Sequence, residues 1–280
     1  MKKILVPIDF SKKSEYAAKM AAKIAKKTSS TIYLLHMIEL PTGVTDMGAG
    51  SHFSIPESML YLRKVREQIL KFKESFFTDN IDVQYAIKLQ NPSEGILKYA
   101  DKIEADIIIM GSKGHSNFEE ILIGSNTEKV VRRATVPVIV VKRDNEKFKI
   151  KNLVFASSFK NDDKKEVFKT FLDFANQFDS KIHLLKINTP SNFENTLEAT
   201  EKIKTFIKGF QLPKHSLNIY NDVSIEKGIL NFSRGINADL ITLSTNKRSG
   251  LSHLFSADVT KNLSKKALKP ILTIKVKKIV

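Results

Sequence analysis

Two glycine clusters stand at a spacing suited to phosphate chemistry. Gly111-Ser112-Lys113-Gly114 is followed by nine residues and then by Gly124-Ser125-Asn126. Glycine lets a backbone approach a ligand that a Cβ would hold off. Where such a cluster opens a helix, the unpaired N–H groups and the positive end of the helix dipole attract an anion, most often phosphate. Ser125 adds a hydroxyl at the same place. A lone G-x-x-G serves equally well as a plain turn, so the weight falls on the spacing and on the flanking elements.

Those flanks place the glycines. Ile107 to Met110 is a short apolar run of the kind that forms a buried parallel strand. After Asn126, Val130, Val131 and Ala134 recur near one helical face. The clusters therefore lie on a strand-to-helix connection. Upstream, Lys3 to Ile8 reads as a first strand with Asp9 at its carboxyl end, and Ser11 can cap a helix running to about Lys27. Thr31 to Ile38 is a second strand, and Pro41 to Pro56 a long loop, functional or merely tolerated. Glu57 to Phe77 is an amphipathic helix and Val83 to Leu89 a third strand. Asn91-Pro92-Ser93-Glu94 marks a helix start, and Pro137 to Lys142 a fifth strand. Strand and helix in alternation predict a helix-covered parallel sheet. In such sheets ligands lie at the carboxyl ends of the strands, where strand order reverses. Asp9 and the glycine loop, about a hundred residues apart, can meet there.

The pattern then begins again after a charged linker, Lys142 to Lys151. Ile182 to Ile187 repeats Ile32 to Met37, and Gly228-Ile229-Leu230 repeats Gly95-Ile96-Leu97. Ala238-Asp239 repeats Ala105-Asp106, and Pro270 to Lys275 repeats Pro137 to Lys142. An internal repeat this long means two domains of one fold, expected at residues 1–145 and 146–280.

G-x-x-G, nine residues, then G-S, after a strand ending in Met110, resembles the nucleotide-binding motif of the universal stress protein family. Val6-Pro7-Ile8-Asp9 and the strand Ile32 to Met37 add to the likeness, which covers nearly the whole chain as two copies. The resemblance implies an α/β fold of two tandem doubly wound domains, each a five-stranded parallel sheet flanked by helices. It implies ATP, or ADP or AMP, at the carboxyl ends of the strands, with magnesium arriving on the nucleotide. By the same resemblance Asp9 would accept a hydrogen bond from the adenine edge, and Ile8 and Met37 would give apolar contact, with Pro7 beside them. Met110 leads into the loop. Gly111, Ser112, Gly114, Gly124, Ser125 and Asn126 would face ribose and phosphates. The family commonly has an aliphatic residue where Asn126 stands, a change that a backbone contact survives. For Asp9 the alternative is a carboxylate that caps its own turn. In the family the fifth strands pair domains, so the two halves would form a pseudo-dimer within one chain, and a further homodimer is open.

The second copy acts as a control. Gly111 becomes Ser244, Gly114 becomes Lys247, Gly124 becomes Ala257, Ser125 becomes Asp258 and Asp9 becomes Ser158. Ala105, Asp106, Thr127, Ala134 and Pro137 keep their identity. Side chains at the loop glycines, and Asp258 at a helix start, oppose phosphate. The second half is therefore expected to have lost the site, although Gly250, Lys247 and Arg248 leave a shifted anion site open.

Catalytic machinery is not legible. There is no G-x-x-x-x-G-K-[ST] loop and no G-x-S-x-G elbow. The histidines lack metal-ligand spacing, and His115 in the loop reads as solvated. The expectation is a nucleotide-binding stress or signalling protein, with a slow ATPase or adenylate-handling enzyme as the alternative. The formal net charge of +16 raises nucleic acid as a partner. Yet the lysines scatter over helix faces such as Lys12 to Lys27, so a solvated basic surface and no specific nucleic acid are expected. Cysteine is absent, which removes disulfide and thiol chemistry. Met1-Lys2-Lys3 precedes apolar residues as in a signal peptide, but Pro7 and Asp9 interrupt them. No apolar run approaches membrane-spanning length. The expected location is the cytoplasm.

Overall fold

A computed structural model describes residues 1–39, 55–78, 80–112, 124–144, 148–160, 163–245 and 269–275. In the first half β1 (Lys3–Ile8), α1 (Lys12–Thr28), β2 (Thr31–Ile38), α2 (Ile55–Phe76), β3 (Val83–Leu89), α3 (Pro92–Lys102), β4 (Ile107–Gly111), α4 (Ser125–Arg133) and β5 (Val138–Val141) alternate as expected. The second half runs β6 (Asn152–Ala156), α5 (Asp163–Ala175), β7 (Lys181–Asn188), α6 (Thr196–Ile207), β8 (His215–Asn221), α7 (Ile225–Gly235), β9 (Leu240–Thr245) and β10 (Ile271–Lys275). The strands form one 10-stranded sheet in the order β3-β2-β1-β4-β5-β10-β9-β6-β7-β8. Each half has the same internal order, so each is doubly wound, with its reversal between β1 and β4 or between β6 and β9. All neighbours are parallel except at the centre, where β5 and β10 run antiparallel with Ile139 opposite Leu272.

Alternation along the strands assigns the two faces. Ile4, Val6 and Ile8 share one core with Ile24 of α1 and Ile69 of α2, while Leu5 joins Ile96 of α3 and Val130 of α4 on the other face. The first of these cores continues across the β5–β10 seam through Ile139, Leu272 and Ile274 to Phe155, Phe168 and Phe171. The second half covers its other face with α7, through Ile229 and Leu230. The charged stretch between the halves is not simply a solvated linker, because Phe148, Ile150 and Lys142 are buried in it.

The repeated Ala-Asp pair has a physical reason. Asp106 Oδ2 accepts the backbone N–H groups of Lys2 and Lys3 at 2.5 and 2.9 Å. Asp239 Oδ2 does the same for Lys151 and Asn152 at 2.8 and 3.0 Å. One carboxylate thus pins the start of each half's first strand to its neighbour at the reversal point. Gly95 and Gly228 recur because a Cβ there would lie 2.1 Å from Met37 Cε and 2.7 Å from Ile187 Cγ2, so α3 and α7 pack directly on β2 and β7.

Candidate functional site

The turn after β1 is tightly built. Phe10 takes a left-handed conformation at φ 61°, unusual for a bulky residue. Asp9 Oδ1 accepts the Ser11 N–H at 3.0 Å and the Ser11 hydroxyl at 2.6 Å. Ser11 in turn caps α1, its Oγ accepting from Ser14 N at 3.3 Å. Asp9 therefore does serve its own turn through one oxygen. The Phe10 ring stacks on His36 at 4.7 Å, and His36 Nδ1 lies 3.0 Å from the Ile8 carbonyl. Burial pushes the imidazole below its ordinary value, against the raising effects of that carbonyl and of Asp9. His36 is thus neutral at physiological pH.

Next to this turn, separated from β1 by one strand spacing, β4 ends at Gly111 and Ser112. The Ser112 carbonyl accepts the Gly124 N–H at 2.6 Å. Residues 113–123 between them lie outside the described residues, and Gly114 and His115 with them. Thr127 Oγ1 donates to the Gly111 carbonyl at 3.0 Å, so the first turn of α4 is fixed to the end of β4. Helices α1, α3, α6 and α7 each begin with a side chain accepting from the third residue on: Ser11, Asn91, Asn195 and Ser224. Helix α4 begins at Gly124 with no side-chain cap. Its leading N–H groups, on Ser125 and Asn126, are uncapped by a side chain beside the end of β4, where the charge of a helix start suits an anion.

The sequence-derived residues divide by face. Met37 and Met110 belong to the α3/α4 side with Leu5, whereas Ile8 is buried in the core under α1 and α2. Pro7 follows the alternation of Leu5 and is partly exposed, and so is Asp9. Ser125 is exposed, while Gly124 and Asn126 are partly buried and Ser112 is buried. Gly111 has a packing reason of its own. A Cβ there would lie 2.8 Å from the C, O and Cβ atoms of Lys13, in the first turn of α1. Ser244 and Ser158 occupy described positions in the second half, and Ser244 is buried with its hydroxyl lacking a hydrogen bond. Lys247, Arg248, Gly250, Ala257 and Asp258 lie outside the described residues, as does most of the long loop before α2.

Sequence reading passed over three neighbours of this crevice. Lys13 Nζ donates to the Lys142 carbonyl at 2.9 Å. Burial first, and the charge of Arg143 second, hold Lys13 below its ordinary value. Burial lowers Lys142 to about 8. Thr127 was visible only as an unchanged position of the repeat. Nothing in the local pattern marks the other two, since their roles arise from strand-to-helix contacts across the sheet. A cleft of about 320 Å³ between α3 and α4 is lined by Glu94, Lys98, Asp101 and Arg133 among others. It includes none of the residues above. Among the described residues no group of three His, Asp or Glu side chains could hold a metal ion, and no helix is long and apolar enough to cross a membrane.

Comparison with known proteins agrees with this architecture. A family model described as the universal stress protein family matches residues 1–142. Two universal stress proteins of Methanocaldococcus jannaschii are 36% and 33% identical over 160 and 142 residues, each covering 51% of this chain and 96% or 82% of their own length. The crystal structure of a universal stress protein from Archaeoglobus fulgidus superposes with a TM-score of 0.67 at 20% identity, covering 98% of this chain and 96% of its own. That last likeness extends the fold over both halves.

Proposed function

The chain belongs to the universal stress protein family, and on that premise we propose that residues 1–145 bind an adenine nucleotide, ATP by preference. The observation that carries this reading is the start of α4, which has no side-chain cap and is held by Thr127 against the end of β4. It lies beside the Asp9 turn at the reversal of strand order. Phosphates take the leading N–H groups of α4 with the Ser125 hydroxyl, and magnesium comes bound to them. The adenine lies toward Asp9, between Pro7 and Met37. Ile8 contributes through its backbone, because its side chain is buried on the opposite face.

Residues 146–280 serve as a structural or partner-binding copy. The antiparallel β5–β10 pairing supports reading the two halves as a pseudo-dimer closed within one chain. The output is a conformational or oligomeric change in the cytoplasm rather than turnover. The test is native mass spectrometry of the purified chain with equilibrium dialysis against ATP, ADP and AMP. One equivalent per chain, lost in Gly114→Val while the circular dichroism spectrum persists, is expected. Two equivalents, or unchanged affinity in the folded variant, would overturn it. Single-turnover phosphate release faster than nucleotide dissociation would make the protein an ATPase instead.

A further inference from the structure

The second half carries a polar relay that the first half lacks. On the face covered by α7, three adjacent strands bring Asn152 of β6, His183 of β7 and Ser216 of β8 together. Ser216 Oγ lies 3.0 Å from His183 Nδ1, and His183 Nε2 lies 3.3 Å from Asn152 Oδ1. His183 and Ser216 are register partners in the parallel ladder, which fixes their side chains on one face. The matching positions of the first half are Lys3, Tyr33 and Gln84, which cannot form such a chain.

The direction of the relay follows from the chemistry of its members. Burial, with the Lys181 charge as a second cause, holds His183 below its ordinary value, so the ring is neutral and has one donor and one acceptor nitrogen. Asn152 Oδ1 can only accept, which puts the ring proton on Nε2. Nδ1 is then the acceptor, and the Ser216 hydroxyl must donate to it. Asn152 is itself held, its backbone N–H donating to Asp239 Oδ2 at 3.0 Å. The Asn218 side-chain amide donates to Ser216 Oγ and to the Ser216 carbonyl, each at 3.1 Å, and to the Leu184 carbonyl at 3.2 Å, which holds the strand around the hydroxyl. His183 is buried under Phe232, ring centroids 6.2 Å apart, while Ser216 is partly exposed on the outermost strand. A partly exposed hydroxyl backed by a buried neutral imidazole and an orienting amide is the order of parts of an activated nucleophile. The 3.3 Å separation of His183 from Asn152 is longer than ideal, as such hydrogen bonds commonly are before substrate binds.

We propose that Ser216 is a nucleophile activated by His183 and oriented through Asn152, reacting with activated acyl esters at the edge of the second half. Ser216 Oγ attacks the acyl carbon as its proton passes to His183 Nδ1. The ester C–O bond breaks, and the leaving alkoxide takes that proton. Water, deprotonated by the same nitrogen, then releases the acid and restores Ser216.

The test treats the full chain with a fluorophosphonate probe and with p-nitrophenyl acetate, mapping the adduct by peptide mass spectrometry. Labelling at Ser216 is expected, slowed about 10²–10⁴-fold in His183→Gln and abolished at this peptide in Ser216→Ala. Asn152→Ala should slow labelling and Asn152→Asp restore it, a rescue that a merely structural role would not produce. Ser216→Ala removes a single oxygen at a partly exposed position, so its melting temperature controls for folding. Labelling spread over other serines, or an undiminished rate in a folded His183→Gln variant, would reduce the relay to a polar ladder between strands and overturn the proposal.

Discussion

Gly111→Ala probes the junction on which the crevice depends. The added Cβ would stand 2.8 Å from three atoms of Lys13, all on or next to the backbone, so no side-chain rotation relieves it. To reach ordinary separation at 3.4 Å, β4 and the first turn of α1 must move apart by about 0.6 Å. That turn has little freedom. It is tied by the Ser11 cap, by the Asp9 turn and by Lys13 Nζ on the Lys142 carbonyl. Overpacking of this kind costs about 1–3 kcal/mol. At about 2–4 °C per kcal/mol for a domain of this size, the melting temperature should fall by roughly 2–12 °C. The displaced turn carries Asp9, so ATP affinity should fall about tenfold for each ~1.4 kcal/mol by which the nucleotide is held less tightly. Calorimetric melting and titration with ATP read the two effects separately. Gly111→Ser should behave alike, since it places the same Cβ against the same atoms. A variant melting within a degree of the parent would refute the packing argument, whatever its affinity.

Other expectations follow from single interactions. Burial alone would raise the Glu194 carboxyl, but the ammonium groups of Lys202, Lys160 and Lys186 outweigh it and hold it at about 2. A depressed carboxylate stabilises the fold above its ordinary value of 4.5, and that share is lost as pH falls from about 4.5 to 2. With Lys160 and Lys202 partly solvated, the share is on the order of 1–2 kcal/mol. Urea melts at pH 7 and pH 3 should show this acid loss in the parent and not in Glu194→Gln; equal losses would contradict it. Asp106→Ala removes the acceptor of two backbone N–H groups and should cost about 1–3 kcal/mol. The same substitution at Asp239 should cost about as much in chemical denaturation, and a large inequality would count against the shared role. Separately expressed residues 1–145 and 146–280 should co-elute, because the seam buries Ile139, Val141, Leu272 and Ile274; independent elution would sink the pseudo-dimer.

Much of the strand-and-helix order was legible because its cues are local. Continuous apolar runs give buried strands, and Asn91-Pro92 gives the start of α3, where Asn91 Oδ1 accepts from Glu94 N. The repeat also exposed Asp106 and Gly95 as structural residues without revealing what they touch. Tertiary neighbours were not legible. The resemblance, and no local cue, puts the fifth strands at the join between the halves, where β5 and β10 are neighbours while β3 and β8 are outermost. Gly111 read as a ligand glycine because its neighbours suit phosphate, and its packing against Lys13 comes from an element about a hundred residues away. The resemblance alone assigns Ile8 to the base. A strand's alternation, once the α1/α2 face is known, turns its side chain the other way.

The divergence of the two halves is easiest to understand at the end of the second strand. His36, neutral and stacked on Phe10, corresponds to Lys186, and Ser11, the cap of α1, corresponds to Lys160. Lys186 is 1% exposed, a position that a lone ammonium could not hold. It is satisfied by Asn188 Oδ1 at 2.9 Å and by Glu194, 3.2 Å away. Glu194 also meets Lys160 and Lys202, each at 2.9 Å. Its Oε2 is close enough to the ammonium groups for ion pairs, though poorly aligned for hydrogen bonds. Asn188 Nδ2 holds the Glu194 carbonyl at 2.8 Å, so the segment between β7 and α6 is drawn down onto the strand ends. The acidic group that balances these cations is therefore supplied by the chain itself. Once Lys186 is buried, removing Glu194 costs several kcal/mol, so the segment must stay in place. The second half thereby commits the rim of its second strand to its own stability, while the corresponding rim of the first half keeps a neutral histidine and an intact turn beside an uncapped helix.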